Sequence, residues 1–223
     1  MRTALRSGQT LLFIGDSITE CGRREERHRP LGCGYVAFVR DLLLVHEPAK
    51  RIAIVNSGIG GNTVDDLRSR WTDDCLAHRP DWLVVGVGIN DLNQHLCGTA
   101  RTPLSPEAYE EIYDGLIADT CRAVPGCRIV LLAPFYGSTD TRADSYRAKV
   151  AALLPSYQAA VARIADRHGA RLVDLHAVFQ HHLRHLPANV LFPDEPVHPG
   201  QTGHALIAHA VHAALRDEIA GGA

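Results

Sequence analysis

The sequence predicts an α/β fold, a three-layer α/β/α sandwich whose five-stranded parallel sheet lies between helices. Two observations predict it. Five short apolar runs rich in β-branched residues recur along the chain, and a helix-length segment follows each of them. Alternation of this kind closes through right-handed crossovers, which place helices on both faces of a parallel sheet. The runs are apolar at successive positions rather than at alternate ones, as strands covered on both sides require.

The strands fall at 11–15 (LLFIG), 52–56 (IAIVN), 82–87 (WLVVGV), 128–133 (RIVLLA) and 171–175 (RLVDL). The helices between and after them cover about 34–46, 63–78, 106–123, 144–168 and 200–217. Within 146–164, apolar residues return every three or four positions, an amphipathic pattern that Pro155 is expected to interrupt. Two segments read as loops long enough to carry specificity: 21–33 (CGRREERHRPLGC) and 94–105 (QHLCGTARTPLS). The first is charge-rich and also reads as a solvated face.

A chain of 223 residues can bury one sizeable core, and 1–223 is read as a single domain. Lys and Arg number 23 against 25 Asp and Glu, a net charge of −2 with the signs interleaved. That balance leaves no electrostatic footprint for nucleic acid or an anionic membrane and favours a neutral or small partner. Cys21, Cys33, Cys75, Cys97, Cys121 and Cys127 are scattered, with no C-x-x-C pair and no zinc spacing, so they read as free thiols and no metal is expected. Residues 1–10 hold no apolar signal core, and no apolar run approaches the roughly 20 residues of a membrane span. The expected location is the cytoplasm.

In open α/β sheets, ligands bind beyond the carboxyl ends of the strands. Gly15-Asp16-Ser17 follows the first strand, "NSGIGGNTVDDL" the second and "GVGINDLN" the third. Ser17 has two readings. Ser17-Ile18-Thr19-Glu20 has the form of a capping box, whose serine and glutamate would satisfy backbone N–H groups at a helix start. Alternatively the hydroxyl is a nucleophile. The turn Gly58-Ile59-Gly60-Gly61-Asn62 lacks the G-x-G-x-x-G spacing of a dinucleotide site. It reads as a tight turn, or as a place where a bare N–H approaches a ligand oxygen. Asn90 suits a helix cap after a strand, yet its amide beside a serine and a glycine N–H makes three donors for one oxygen.

A serine nucleophile needs a base. His181, His182 and His185 sit at helical spacing beside Arg184 and read as a solvated face, while His204, His209 and His212 belong to the last helix. His198 differs, because Pro199 disfavours helical geometry at His198 and suits the first position of the helix after it. Asp194 and Glu195 just precede it, and a carboxylate on the far imidazole nitrogen would orient the ring.

These blocks, in this order from 11 to about 210, resemble the SGNH, or GDSL, hydrolase superfamily. "LLFIGDSITECGR", "SGIGGNTVDDLRSRW", "RPDWLVVGVGINDL" and "VHPGQTGHALIA" are similar to the branch that contains xylan acetylesterases and related carbohydrate deacetylases. The resemblance implies a flavodoxin-like strand order 2-1-3-4-5, with Ser17 as nucleophile and His198 as general base. The Ser17 N–H, the Gly61 N–H and the Asn90 side chain would form the oxyanion hole. The family pattern is D-x-x-H; here Glu195 holds the acidic position, with Asp194 one residue further back as the alternative. The implied activity is a serine esterase removing acetyl or short acyl groups from acetylated sugars through an acyl-enzyme, without a cofactor. A lysophospholipase or thioesterase on longer chains, and a catalytically impaired carbohydrate-binding relative, are the competing readings. A homo-oligomer is left open, because related esterases self-associate.

Overall fold

The computed structural model describes residues 2–99, 102, 104–140 and 142–216. Along the chain run β1 (Thr10–Gly15), α1 (Ser17–Glu20), α2 (Tyr35–His46), β2 (Ala53–Gly58), α3 (Val64–Asp74), β3 (Trp82–Gly86), α4 (Ile89–Cys97) and α5 (Pro106–Ala123). Then come β4 (Arg128–Leu132), α6 (Tyr146–His168), β5 (Arg171–Val173), α7 (Leu175–Leu183), α8 (Ala188–Leu191) and α9 (Gln201–Ala214). The five strands pair in parallel in the order β2-β1-β3-β4-β5, the order the resemblance implied.

Successive strand residues point to opposite faces, and each face has its own core. Leu12, Ile14, Leu83, Val85 and Leu131 pack under α3, α5 and α6. Leu11, Phe13, Val84, Val130 and Leu132 pack under α2, α7 and α9. The outer strands are less covered than the even apolar runs implied: β2 is buried only at Asn56–Gly58, and Leu172 of β5 is 43% exposed.

The register sets up the site. Gly15 pairs with Gly58 on one side and with Gly86 on the other, so β1, β2 and β3 end level at three adjacent glycines. The approach there is close enough to require glycine, since a Cβ on Gly15 would stand 2.1 Å from the Gly86 carbonyl oxygen. Three βα turns therefore open onto one edge.

Several expectations change. Pro155 does not interrupt α6, which runs unbroken for 23 residues. Pro155 and Ala151, whose carbonyl loses its partner, lie on the exposed side, while Val150, Leu154, Tyr157 and Val161 anchor the helix on both sides of the proline. The segment 94–105 is not all loop, because α4 continues to Cys97; positions 100, 101 and 103 lie outside the described residues. The run 171–175 ends as a strand at Val173, since Asp174 instead caps α7, accepting the Ala177 N–H at 2.8 Å. The last helix stops at Ala214, and 217 is outside the described residues.

Candidate active site

The capping-box reading of Ser17 fails one residue too late. Asp16 is the N-cap of α1, in extended geometry, and its Oδ1 accepts the Ile18 N–H at 3.0 Å. A carboxylate one position earlier already serves the helix start, so the Ser17 hydroxyl is not consumed there. The side chain of Glu20, the other half of the supposed box, reaches away from the helix and accepts the Gly60 N–H at 2.5 Å.

The freed Ser17 Oγ lies 2.7 Å from His198 Nε2, across 181 residues of sequence. On the other side of the ring, His198 Nδ1 contacts Glu195 Oε1. A carboxylate on Nδ1 places the imidazole proton there and leaves Nε2 bare to accept the serine proton. Glu195 is itself locked: Oε2 accepts the Val197 N–H at 2.7 Å and Oε1 the His198 N–H at 2.8 Å. Burial raises the Glu195 carboxyl, but these N–H donors and the ring outweigh it and hold the group below its ordinary value. Asp194 is exposed and makes no hydrogen bond or ion pair to His198. The loop also hydrogen-bonds the segment after β4, with Gly137 N–H on the Pro196 carbonyl at 2.8 Å.

The turn after β2 is clamped from three directions. Glu20 holds Gly60; Arg23 donates to the Gly58 carbonyl at 2.6 Å; Arg70 reaches Asn62 Oδ1 and the Ser57 carbonyl, each at 2.8 Å. A Cβ on Gly60 would lie 3.9 Å from that of Ser17, so the turn runs beside the serine. Gly61 follows at φ 78, exposed, in the left-handed region that glycine adopts without cost. Asn90 Nδ2 then donates to the Asn62 carbonyl at 3.1 Å, which occupies one amide hydrogen and leaves the second free to point elsewhere. Its neighbour Asp91 is fully buried, with Oδ1 on the Val64 N–H at 2.9 Å. Asp91 Oδ2 has no hydrogen-bond partner among the described residues.

Two buried carboxyls therefore flank the site. Burial pushes Asp16 up to about 6, against the opposing pull of the Ile18 N–H and His198, and pushes Asp91 up to about 7. The other histidines take no part in this constellation. His204 is buried against Tyr35 and Cys21, and burial pushes it down to about 4; His212 is also buried. The rings of His181, His182 and His185 pack on one another. Among the described residues no group of His, Cys, Asp or Glu is arranged to hold a metal ion. The clamping residues Glu20, Arg23, Arg70 and Asp91 were missed by sequence reasoning. Their partners in these contacts lie in other segments and, apart from Asn62 Oδ1, are backbone atoms, so they leave no spacing signal.

The sequence profile of the GDSL-like lipase/acylhydrolase family matches residues 13–206. An acetylxylan esterase of Geobacillus stearothermophilus is 38% identical over 210 residues, 92% of either chain. The crystal structure of an acetylxylan esterase from the same organism has a TM-score of 0.83 at 35% identity, covering 96% of both chains. An α/β hydrolase enzyme from the metagenome of Lake Arreo, Spain, has a TM-score of 0.83 at 33% identity, covering 96% of this chain and 98% of its own. Among the solved catalytic mutants of the Geobacillus esterase are alanine replacements of a serine, an aspartate and a histidine.

Proposed function

The chain belongs to the GDSL-like lipase/acylhydrolase family and is a carboxylic ester hydrolase, and we propose that Ser17, His198 and Glu195 carry its chemistry on acetylated sugars or short oligosaccharides. The observation that carries this reading is the continuous relay from Ser17 Oγ through both ring nitrogens of His198 to Glu195. Ser17 Oγ attacks the ester carbonyl as its proton passes to Nε2, and the carboxylate stabilises the imidazolium that results. The Ser17 N–H, the Gly61 N–H and the second amide hydrogen of Asn90 receive the oxyanion. The imidazolium protonates the departing sugar oxygen, which leaves as a hydroxyl, and water then releases the acid by the same route.

The substrate class rests on the acetylxylan esterase relatives. A short acyl group is supported by the same relatives, which are named for acetyl esters. The same reading treats 1–223 as one domain, and its six unbridged thiols suit a reducing cytoplasm. No helix among the described residues is long and apolar enough to cross a membrane.

Acetate release from acetylated xylo-oligosaccharides, compared with p-nitrophenyl esters of rising chain length, tests the proposal. Activity should be greatest on acetyl esters and vanish in Ser17→Ala. A preference for long acyl chains would move the enzyme to the lysophospholipase or thioesterase reading. No turnover of any ester would leave a carbohydrate-binding relative.

A further inference from the structure

Outside the hydrolytic constellation, Cys21 and Cys33 bring two thiols together. Cys21 ends α1, and its N–H donates to the Ser17 carbonyl at 2.9 Å. Cys33 lies 12 residues on, and its N–H donates to the Cys21 carbonyl at 2.8 Å, closing the base of the segment between them. With standard bond lengths, that hydrogen bond limits the Cα separation to about 6.7 Å. A disulfide spans roughly 4.4–6.8 Å between Cα atoms. The two sulfurs are already 3.9 Å apart.

The backbone around the pair leaves room for them to meet. Each cysteine precedes a glycine, and each sulfur lies over the other cysteine's glycine. A Cβ on Gly22 would stand 3.2 Å from Cys33 Sγ, and one on Gly34 would stand 2.8 Å from Cys21 Sγ. Cys33 is exposed to solvent and Cys21 is half-buried.

We propose that Cys21 and Cys33 are an oxidation site, at which a small-molecule disulfide forms a Cys21–Cys33 bond that displaces α1 and slows hydrolysis at Ser17. The effect on rate rests on the role assigned to Ser17; the cross-link does not. Cys33, as thiolate, attacks one sulfur of the oxidant and expels the first small thiolate. Cys21, as thiolate, then attacks the Cys33 sulfur, forms the protein disulfide and expels the second. Two protein thiols lose two electrons and two protons, and the oxidant leaves as two thiols. Burial raises the Cys21 thiol above its ordinary value, so the second step quickens as pH rises.

The route to Ser17 is short. His204 Nδ1 accepts the Tyr35 N–H at 3.2 Å, so the neutral ring carries its proton on Nε2 and donates it to Cys21 Sγ at 3.3 Å. Bond formation draws that sulfur to about 2.05 Å from Cys33 and off this donor. Helix α1 is four residues long and ends at Cys21 with φ 26, so it offers little resistance to the pull. Its first residue is Ser17, and misplacing a reacting group by about 1 Å can cost roughly 100-fold in rate.

Treating the native enzyme with excess oxidised glutathione at pH 8, then assaying it and digesting it without reductant, tests the proposal. The expected result is a peptide joining Cys21 to Cys33 and a fall in kcat/KM of about fivefold or more, within the range such a displacement carries, restored by dithiothreitol. Cys33→Ser should match the untreated wild type and not respond. Three results would overturn the proposal: no joined peptide, a joined peptide with hydrolysis within about twofold of the reduced enzyme, or an equal loss in Cys33→Ser. Hydrolysis surviving in Ser17→Ala would instead defeat the functional reading, while the joined peptide would still report on the thiols.

Discussion

Glu195 grips both the backbone and the ring of His198: one oxygen accepts the His198 N–H at 2.8 Å and also meets Nδ1. The backbone bonds hold the carboxylate in place before any substrate arrives, so the ring is oriented by a group that is itself rigid. Glu195→Gln keeps the loop's size and one acceptor oxygen but can leave the imidazole in the wrong tautomer. Its kcat should fall by up to about 10⁴-fold. Asp194→Asn should cost less than about tenfold, because Asp194 does not reach the ring. Steady-state kinetics on an acetyl ester ranks the two, and the reverse order would transfer the role to Asp194.

Ser17→Ala should fold as the wild type, since Asp16 and not Ser17 caps α1. Its kcat should drop by something like 10⁴- to 10⁶-fold. Circular dichroism and an acetyl-ester assay check both halves. Activity within about tenfold of wild type would remove Ser17 from the chemistry.

Asn90→Ala should lower kcat about 10²- to 10³-fold with little change in KM, because in the proposed mechanism its free amide hydrogen meets charge that develops only in the transition state. A pure KM effect would make Asn90 a ground-state substrate contact instead.

Glu20 holds Gly60 beside Ser17, in the turn to which the proposed oxyanion donor Gly61 belongs. Glu20→Ala should cut kcat by about tenfold or more at unchanged KM, the scale of a loosened oxyanion donor. Glu20→Gln retains an oxygen for the Gly60 N–H and should recover most of that loss. Arg24, the ion-pair partner of Glu20 at 3.1 Å, is more than half exposed, and Arg24→Ala should change kcat by less than about twofold. Equal losses in all three variants would make the contact merely structural.

Asp91 predicts a pH dependence of stability. Its carboxyl is raised by burial from 3.8 to about 7. Between those values the folded protein keeps the proton and the unfolded chain has released it, so this group lowers stability progressively as pH rises from about 4 to about 7. Asp91→Asn does not titrate and keeps an acceptor for the Val64 N–H. The variant's unfolding free energy minus that of the wild type, from urea titrations, should therefore climb across that window and level off above it. A difference that is flat from pH 4 to pH 8 would mean that burial does not hold the proton on Asp91.

The fold was legible because both of its signals are local. Continuous apolar runs such as 11–15 and 129–133 mark strands that water does not reach, and the helical period marks what covers them. What escaped was also local in cause. Helix α7 begins at an aspartate that reads as part of a strand, and α6 tolerates Pro155 because the lost hydrogen bond falls on its wet side. The end of β5 shifted because the Asp174 side chain found the Ala177 N–H.

Local pattern along the chain marked the five strands, the four blocks at their ends, and Ser17, Gly61, Asn90 and His198 within those blocks. It left Ser17 between a cap and a nucleophile, and His198 between two acids. In the folded chain Asp16 takes the cap, and Glu195 rather than Asp194 meets the His198 ring. The strand register brings Gly15, Gly58 and Gly86 level, which sets Ser17 beside Gly60; across the site, Ser17 meets His198 with Glu195 behind it. The difference is one of range. Burial and helical period act between residues a few positions apart and so leave a pattern in the chain. A hydrogen bond such as Glu20 to Gly60, Arg70 to Ser57, or Ser17 to His198 joins distant segments, and its partner is chosen by packing rather than by spacing.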